Sequence, residues 1–244
     1  MDNTYIADIH SHILPGVDDG AKDPETSARL LSKAYEEGTR ILFFTPHYQI
    51  GRNKYKPQDL DALYNAIARV IGSRWPDMKL YLGNEVYYEP GIKEDLKAGL
   101  IHTMAGTRYV LVEFSRSTSV KNVFRAVREV TADGHKMIVA HVERYQALVE
   151  DRESMEKLKD MGVLFQMNAE ALRKKGFFAG KELKGNEGLV SQGLISFIGA
   201  DSHSVDMRPP EIAFAADRIR KLNPEMADRI IFGNARDLVN GKIL

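Results

Sequence analysis

Seven short apolar runs, set apart by stretches of helical periodicity, most constrain what this chain can become. They fall at residues 5–9, 41–45, 79–82, 109–114, 137–140, 163–167 and 194–199. Each is rich in Val, Ile, Leu, Phe or Tyr and short enough to be a strand buried on both faces. Residues 24–37 place Ala28, Leu31, Ala34 and Tyr35 on one helical face, after an Asp23 that can cap it. Residues 60–71, 120–132, 154–161 and 210–222 read the same way. Gly38, Gly134, Gly162 and Gly193 stand just before the following strand, where a helix C-cap belongs. Strand, loop, helix and glycine therefore recur at the size of a βα unit. With no linker between units, the pattern predicts a single α/β domain over residues 1–244, built as a closed or nearly closed parallel (β/α)7 barrel. A doubly wound open sheet is the alternative, but residues 11–20 carry no G-x-G-x-x-G loop after the first strand. Residues 172–187, dense in Lys and Gly, show only a weak helical pattern.

Barrel enzymes keep their chemistry at the C-terminal ends of the strands. There the chain offers His10-Ser11-His12, Thr45-Pro46-His47, Gly83-Asn84-Glu85, Val112-Glu113, Ala140-His141, Asn168 and Asp201-Ser202-His203. Six of the seven strand ends thus deliver a His, Asp or Glu to one rim. The two remaining histidines, His102 and His135, fall away from it and read as surface or capping residues. His10 and His12 are two apart, so in extended chain their side chains point the same way, and Asp201 and His203 repeat that geometry. A lone His47, His141 or Glu113 is more often an ordinary hydrogen-bonded residue than a ligand, and His-x-His alone is a weak motif. The joint placement carries the metal-site expectation. It supplies more ligands than one ion needs, which implies two or three ions. Asp18 and Asp19 follow the first pair on a loop that can fold over the rim, and their adjacency leaves open which one ligates.

Composition removes competing chemistries. There is no cysteine, which excludes disulfides, thiolate metal sites and cysteine nucleophiles. The 34 basic and 34 acidic residues balance, so no net basic field points to nucleic acid. The first residues carry no apolar run, and none elsewhere is long enough to insert in a membrane. A cytoplasmic protein is the expectation.

His10-Ser11-His12, His47, His141 and Asp201-Ser202-His203 resemble the motifs of the PHP (polymerase and histidinol phosphatase) superfamily across nearly the whole chain. Residues 8–20 (DIHSHILPGVDDG), Glu85-Val86-Tyr87-Tyr88, His141-Val142-Glu143-Arg144-Tyr145 and the stretch from Asp201 to Arg208-Pro209-Pro210 narrow the likeness. They are similar to the manganese-dependent protein-tyrosine phosphatases of bacterial capsule and exopolysaccharide biosynthesis. The resemblance implies a distorted, TIM-like (β/α)7 barrel holding three divalent metal ions. One ion takes His10, His12, Glu85 and Asp201. A second shares Glu85 and takes Glu113 and His141. A third takes Asp19, His47 and His203, while Arg144 and Arg208 hold the phosphate.

Imidazoles with carboxylates and no thiolate suit manganese, with iron or zinc compatible. The mechanism expected from these residues is attack on phosphorus by a metal-bridged hydroxide, with the arginines neutralising charge on the phosphoryl oxygens. The resemblance points to phosphotyrosine on the tail of a bacterial tyrosine-autokinase of polysaccharide export. A small-molecule phosphatase such as a histidinol phosphatase is the alternative. A catalytically silent PHP module attached to a polymerase is a third, disfavoured by the absence of a partner domain or a basic excess.

Overall fold

The structure is a computed structural model describing residues 5–53, 55–173 and 180–244. β1 (Ile6–Asp8) leads through a long loop to α1 (Pro24–Glu36), and β2 (Thr39–Phe44) and β3 (His47–Tyr48) precede α2 (Pro57–Arg74). β4 (Lys79–Leu82) and β5 (Glu85–Tyr87) precede α3 (Ile92–Lys97), and β6 (Tyr109–Glu113) precedes α4 (Val120–Thr131). β7 (Lys136–Val139) precedes α5 (Gln146–Val149) and α6 (Arg152–Asp160), and β8 (Leu164–Asn168) precedes α7 (Gly180–Ser191). β9 (Phe197–Gly199) precedes α8 (Ala213–Leu222) and α9 (Asn234–Val239).

Local chemistry sets these boundaries. The Asp23 carboxylate accepts from Thr26 N at 2.8 Å and Pro24 opens α1 without a wasted N–H. Gly38 leaves it at φ +91°, a left-handed turn that suits glycine, and its carbonyl accepts from Ile6 N at 3.0 Å. The expected strands and helices all form within a few residues. The weakly patterned region becomes α7 from Gly180 onward, while residues 174–179 lie outside the described residues.

Every strand ladder is parallel. The order is β1-β2-β4 in one piece and β3-β5-β6-β7-β8-β9 in the other. The sequence shows seven runs; the structure has nine strands among the described residues because two runs continue past a break. Pro46, with no N–H to give a ladder, separates β2 from β3, and Gly83-Asn84 separates β4 from β5. Gly83 N to Phe44 O (2.9 Å) and Glu85 N to Pro46 O (3.2 Å) carry the alignment across both breaks. The sheet curls so that β9 meets β1: Ile9 N donates to Ile198 O (3.4 Å), His12 N to Ser202 O (2.9 Å) and Asp201 N to His10 O (2.8 Å). At Gly199 the approach is so close that a Cβ would lie 2.7 Å from His10 Cβ, so only glycine fits.

Alternation along the strands divides the core. Leu42 and Phe44 pack with Leu30, Leu31 and Leu60 of the helices, and Val110, Val112 and Val139 pack with Val123 and Val127. The intervening Ile41, Phe43, Leu111 and Ile138 pack with Ala7, Ile9 and Phe197 on the opposite face. Both faces are covered, which is why these strands read as unbroken apolar runs. Because all strands run the same way, their C-terminal ends share one edge, and the buried His10, His12, Glu85, His141 and Asp201 collect there. Among the described residues no helix is long and apolar enough to cross a membrane.

Candidate metal centre

His10 and His12 leave the end of β1 on the same side, and their rings are fully buried. His10 Nδ1 lies 3.2 Å from Gln166 Oε1. That oxygen also accepts the His141 backbone N–H at 2.7 Å, while Gln166 Nε2 donates to Asn168 Oδ1 at 2.9 Å, so the amide orientation is fixed. Nδ1 of His10 therefore carries the proton. His12 Nδ1 donates in the same way to Asp18 Oδ2 at 2.7 Å. Both Nε2 atoms are the ring positions turned toward the cluster, and they face each other at 3.2 Å. Glu85 Oε2 stands 3.2 Å from each, and Asp201 Oδ1 stands 3.5 Å from each. Four potential ligand atoms thus converge on one point, an arrangement that needs positive charge at its centre: a proton on His12 in the metal-free protein, or a bound cation. Ligand atoms about 2.0–2.2 Å from one ion stand roughly 3–3.5 Å apart, which matches these spacings.

The remaining rim residues surround that group. Glu85 turns its other oxygen, Oε1, to His141 Nε2 at 2.7 Å, and Glu113 Oε2 lies 3.4 Å from the same nitrogen. His47 Nδ1 approaches Glu85 Oε2 (3.0 Å) and Glu113 Oε1 (3.6 Å). Asp19 Oδ1 lies 3.3 Å from both His47 Nε2 and His203 Nε2. His203 Nδ1 donates to the Asp201 carbonyl at 2.9 Å, leaving Nε2 a buried acceptor with no hydrogen-bond partner. Three overlapping groups with ligand atoms within 4.8 Å result: His10, His12 and Asp201; His12, Asp19, His47 and His203; His47, Glu85 and Glu113. These groups hold eight of the nine metal-ligand candidates from the sequence, and the ninth, His141, joins them through Glu85 Oε1. The difference lies in the partition, since His47 as well as His141 faces the Glu85–Glu113 pair.

The adjacent aspartates separate by geometry. Asp18 has a side chain only 7% exposed and stands behind His12, whereas Asp19 is 68% exposed and faces the cluster. Asp18 also accepts from His47 N (3.1 Å) and Gly20 N (3.0 Å). A carboxylate behind a ring nitrogen fixes the tautomer and the aim of the imidazole.

Electrostatics agree with a cation-binding site. Burial opposes charge on His12, yet Asp18, Asp201 and Glu85 raise its pKa well above 6.5. Burial likewise opposes charge on His141, and Glu113 and Glu85 push it up to about 9. Burial works against the Glu85 and Asp201 carboxylates, but His10 leads the neighbours that hold both well below their ordinary range. His203 goes the other way, to about 4, through burial and the charge of His12.

Asp201 is gripped from outside by donors. Its Oδ2 accepts from Arg144 Nη2 at 2.6 Å and from Asn168 Nδ2 at 2.8 Å, and Arg208 Nη2 pairs with the same oxygen. Both arginine candidates thus reach the rim, and both are partly exposed. His141 at φ +32° and Asp201 at φ +52° are non-glycine residues in the left-handed region, a strain of about 1–3 kcal/mol each that the surrounding bonds must offset. His102 is held away by Asp61 at 3.0 Å, and His135 joins none of these contacts.

Sequence reasoning set Asn168 at the rim without a role and did not find the roles of Gln166 and Tyr145. Gln166 and Asn168 share one face of β8, and the Tyr145 hydroxyl lies 3.1 Å from His141 Nδ1 while accepting from Phe114 N at 2.9 Å. A polar i, i+2 pair in a strand otherwise buried on both faces was the available signal for the first two.

Known proteins are similar to this chain over nearly its whole length. Tyrosine-protein phosphatase CpsB of Streptococcus agalactiae serotype V is 31% identical over 236 residues, 95% of this chain and 97% of its own length. The CpsB of Streptococcus pneumoniae is 30% identical over 241 residues, 97% of this chain and 99% of its own. Crystal structures of YwqE from Bacillus subtilis and CpsB from Streptococcus pneumoniae are described as unique metal-dependent tyrosine phosphatases. They yield a match with a TM-score of 0.85 at 24% identity, covering 97% of this chain and 95% of the other. The profile of the family described as "Capsular polysaccharide synthesis, CpsB/CapC" matches residues 6–240, and this chain belongs to that family.

Proposed function

We propose that this protein is a metal-dependent protein-tyrosine phosphatase, a single PHP-type metallophosphatase domain over residues 1–244 folded as a distorted (β/α)7 barrel. The observation that carries the reading is the convergence of four potential ligand atoms, from His10, His12, Glu85 and Asp201, on one buried point. The relatives' names favour phosphotyrosine protein over histidinol phosphate. We assign three divalent ions, manganese by preference. The first is held by His10, His12, Glu85 and Asp201, the second by Glu85, Glu113 and His141, and the third by Asp19, His47 and His203. His47 Nδ1 stands close enough to join the second set. The proposed substrate is the phosphotyrosine tail of a bacterial tyrosine-autokinase of capsule synthesis. It is phosphorylated where nucleoside triphosphate is available, in the cytoplasm.

Bound divalent ions supply Lewis acidity toward phosphoryl oxygens and make water acidic enough to act near neutral pH. The chain's own residues do the rest. Gln166 and Asp18 fix the rings of His10 and His12, so that neither needs to rotate during turnover. Arg144 and Arg208 present forked N–H donors at the mouth of the site, matching the oxygens of a phosphate dianion. Their present anchor, Asp201 Oδ2, keeps both guanidinium groups over the cluster. Tyrosine leaves as a phenolate whose ordinary pKa is about 10, so departure needs no strong protein acid. The test is elemental analysis of the purified protein beside initial rates on a phosphotyrosine peptide, a phosphoserine peptide and histidinol phosphate. Retained divalent metal with phosphotyrosine preferred supports the proposal. Preference for histidinol phosphate, or full activity in metal-free protein, refutes it.

A further inference from the structure

A cleft of about 950 Å³ opens beside the metal centre, and two of its lining residues, Arg144 and Asn168, are the donors bonded to Asp201 Oδ2. It is therefore continuous with the place where a phosphate would be held. Pockets for drug-sized ligands run from about 300 to 1,000 Å³, so this volume exceeds the needs of one phosphophenyl group. Its lining carries five cations (Arg116, Arg144, Arg152, Arg173, Lys181) against four acids (Glu143, Glu150, Glu170, Glu182).

Most of these charges are already engaged. Arg173 pairs with Glu170 and Glu211, Arg152 donates to Gly185 O at 3.3 Å, and Glu150 accepts from Gln146 at 2.9 Å. Glu143 accepts the Asn168 backbone N–H at 3.3 Å. Arg116, just after β6, and Lys181, at the start of α7, are exposed. Neither has a salt bridge or side-chain hydrogen bond among the described residues. Glu182 is the single lining acid in the same condition.

Building on the tyrosine-phosphatase reading, we infer that this cleft seats the polypeptide flanking the phosphotyrosine, and that Arg116 and Lys181 select acidic side chains in that flank. Arg116 and Lys181 line the cleft and belong to none of the metal-ligand groups, so turnover of a small phosphate ester is not expected to depend on them. A peptide whose phosphotyrosine sits at the metals must run its neighbouring residues along the cleft that leads away from Arg144 and Asn168.

The metal-loaded enzyme should be assayed on p-nitrophenyl phosphate and on two phosphotyrosine peptides that differ only in Asp/Glu or Asn/Gln flanks. The wild type should favour the acidic peptide by about five- to tenfold in kcat/KM, mostly through KM, as expected of two exposed ion pairs. Arg116→Glu with Lys181→Glu should invert that preference, while p-nitrophenyl phosphate turnover stays within twofold. The neutral pair Arg116→Gln with Lys181→Gln should abolish the preference without inverting it. An acidic-to-neutral ratio untouched by either double variant, with p-nitrophenyl phosphate turnover intact, would overturn the inference. Failure of the metal-loaded wild type on all three esters would instead refute the phosphatase reading beneath it.

Discussion

Replacing Asp18 and Asp19 separately with alanine should produce opposite kinds of damage, although the two residues are neighbours. Asp18→Ala removes the acceptor from His12 Nδ1–H, from His47 N–H and from Gly20 N–H. The His12 ring is fully buried, so its stranded donor alone costs about 1–3 kcal/mol; the other two are nearer water and cost less. Loss of an orienting partner behind a metal-binding imidazole weakens metal affinity by about 10–100-fold. Asp18→Ala should therefore lower the stability of the metal-free protein and weaken binding at His12, yet bind the full complement at saturating metal. Asp19 is mostly exposed and makes no such network, so Asp19→Ala should change metal-free stability by less than about 0.5 kcal/mol. It should instead lose metal from the position shared by His47 and His203. Elemental analysis after equilibration with excess metal gives the content, chelator competition gives the affinity, and thermal unfolding in chelator gives the stability. The reasoning fails if Asp18→Ala loses an ion at saturation while Asp19→Ala keeps all of them, or if Asp19→Ala is the more destabilising in chelator.

Three further outcomes are expected. Arg144→Ala or Arg208→Ala should each lower kcat/KM for phosphotyrosine by about 10–100-fold, the worth of roughly 1.5–3 kcal/mol for a charge-assisted hydrogen bond; steady-state kinetics reads this, and an unchanged value removes that arginine from the phosphate site. In the metal-free protein His141 is raised to about 9, so its contribution to stability is complete below its unfolded pKa near 6.5 and is lost as pH rises through 9. Melting temperature in chelator should accordingly fall between pH 7 and 10, and a flat or rising profile contradicts the assignment. Chelation should abolish activity and metal return should restore it, while iodoacetamide at neutral pH leaves activity intact because there is no cysteine to alkylate; inhibition by iodoacetamide would expose an unrecognised nucleophile.

The repeating βα pattern and the rim were legible because each has a periodic cause. Strands covered on both faces must be apolar throughout, and an i, i+2 pair such as His10 and His12 must share a side. What stayed hidden depends on distances no spacing encodes. Asp18 and Asp19 differ only in which way a loop pressed against His12 turns them, a turn that leaves no room for a Cβ at Gly20, 1.9 Å from His12 O. Gln166, Asn168 and Tyr145 are neutral, so they carry no charge signal, and their roles arise only when β8 and the turn after β7 are brought beside β1 and β9. The division of the second and third runs by Pro46 and Gly83-Asn84 was visible as residues but not as paired interruptions, because their alignment is a property of the β2–β4 register.

Glu85 is a single carboxylate with two faces. Oε2 looks to His10, His12 and His47, and Oε1 looks to His141. Its orientation cannot be set for one group of ligands independently of the other. If ions fill both proposed positions, their uptake is linked: filling either one would pre-align this carboxylate for the other, and by thermodynamic reciprocity the benefit would be equal in both directions. The centre should load as a cooperative unit, with partly filled protein scarce in a metal titration.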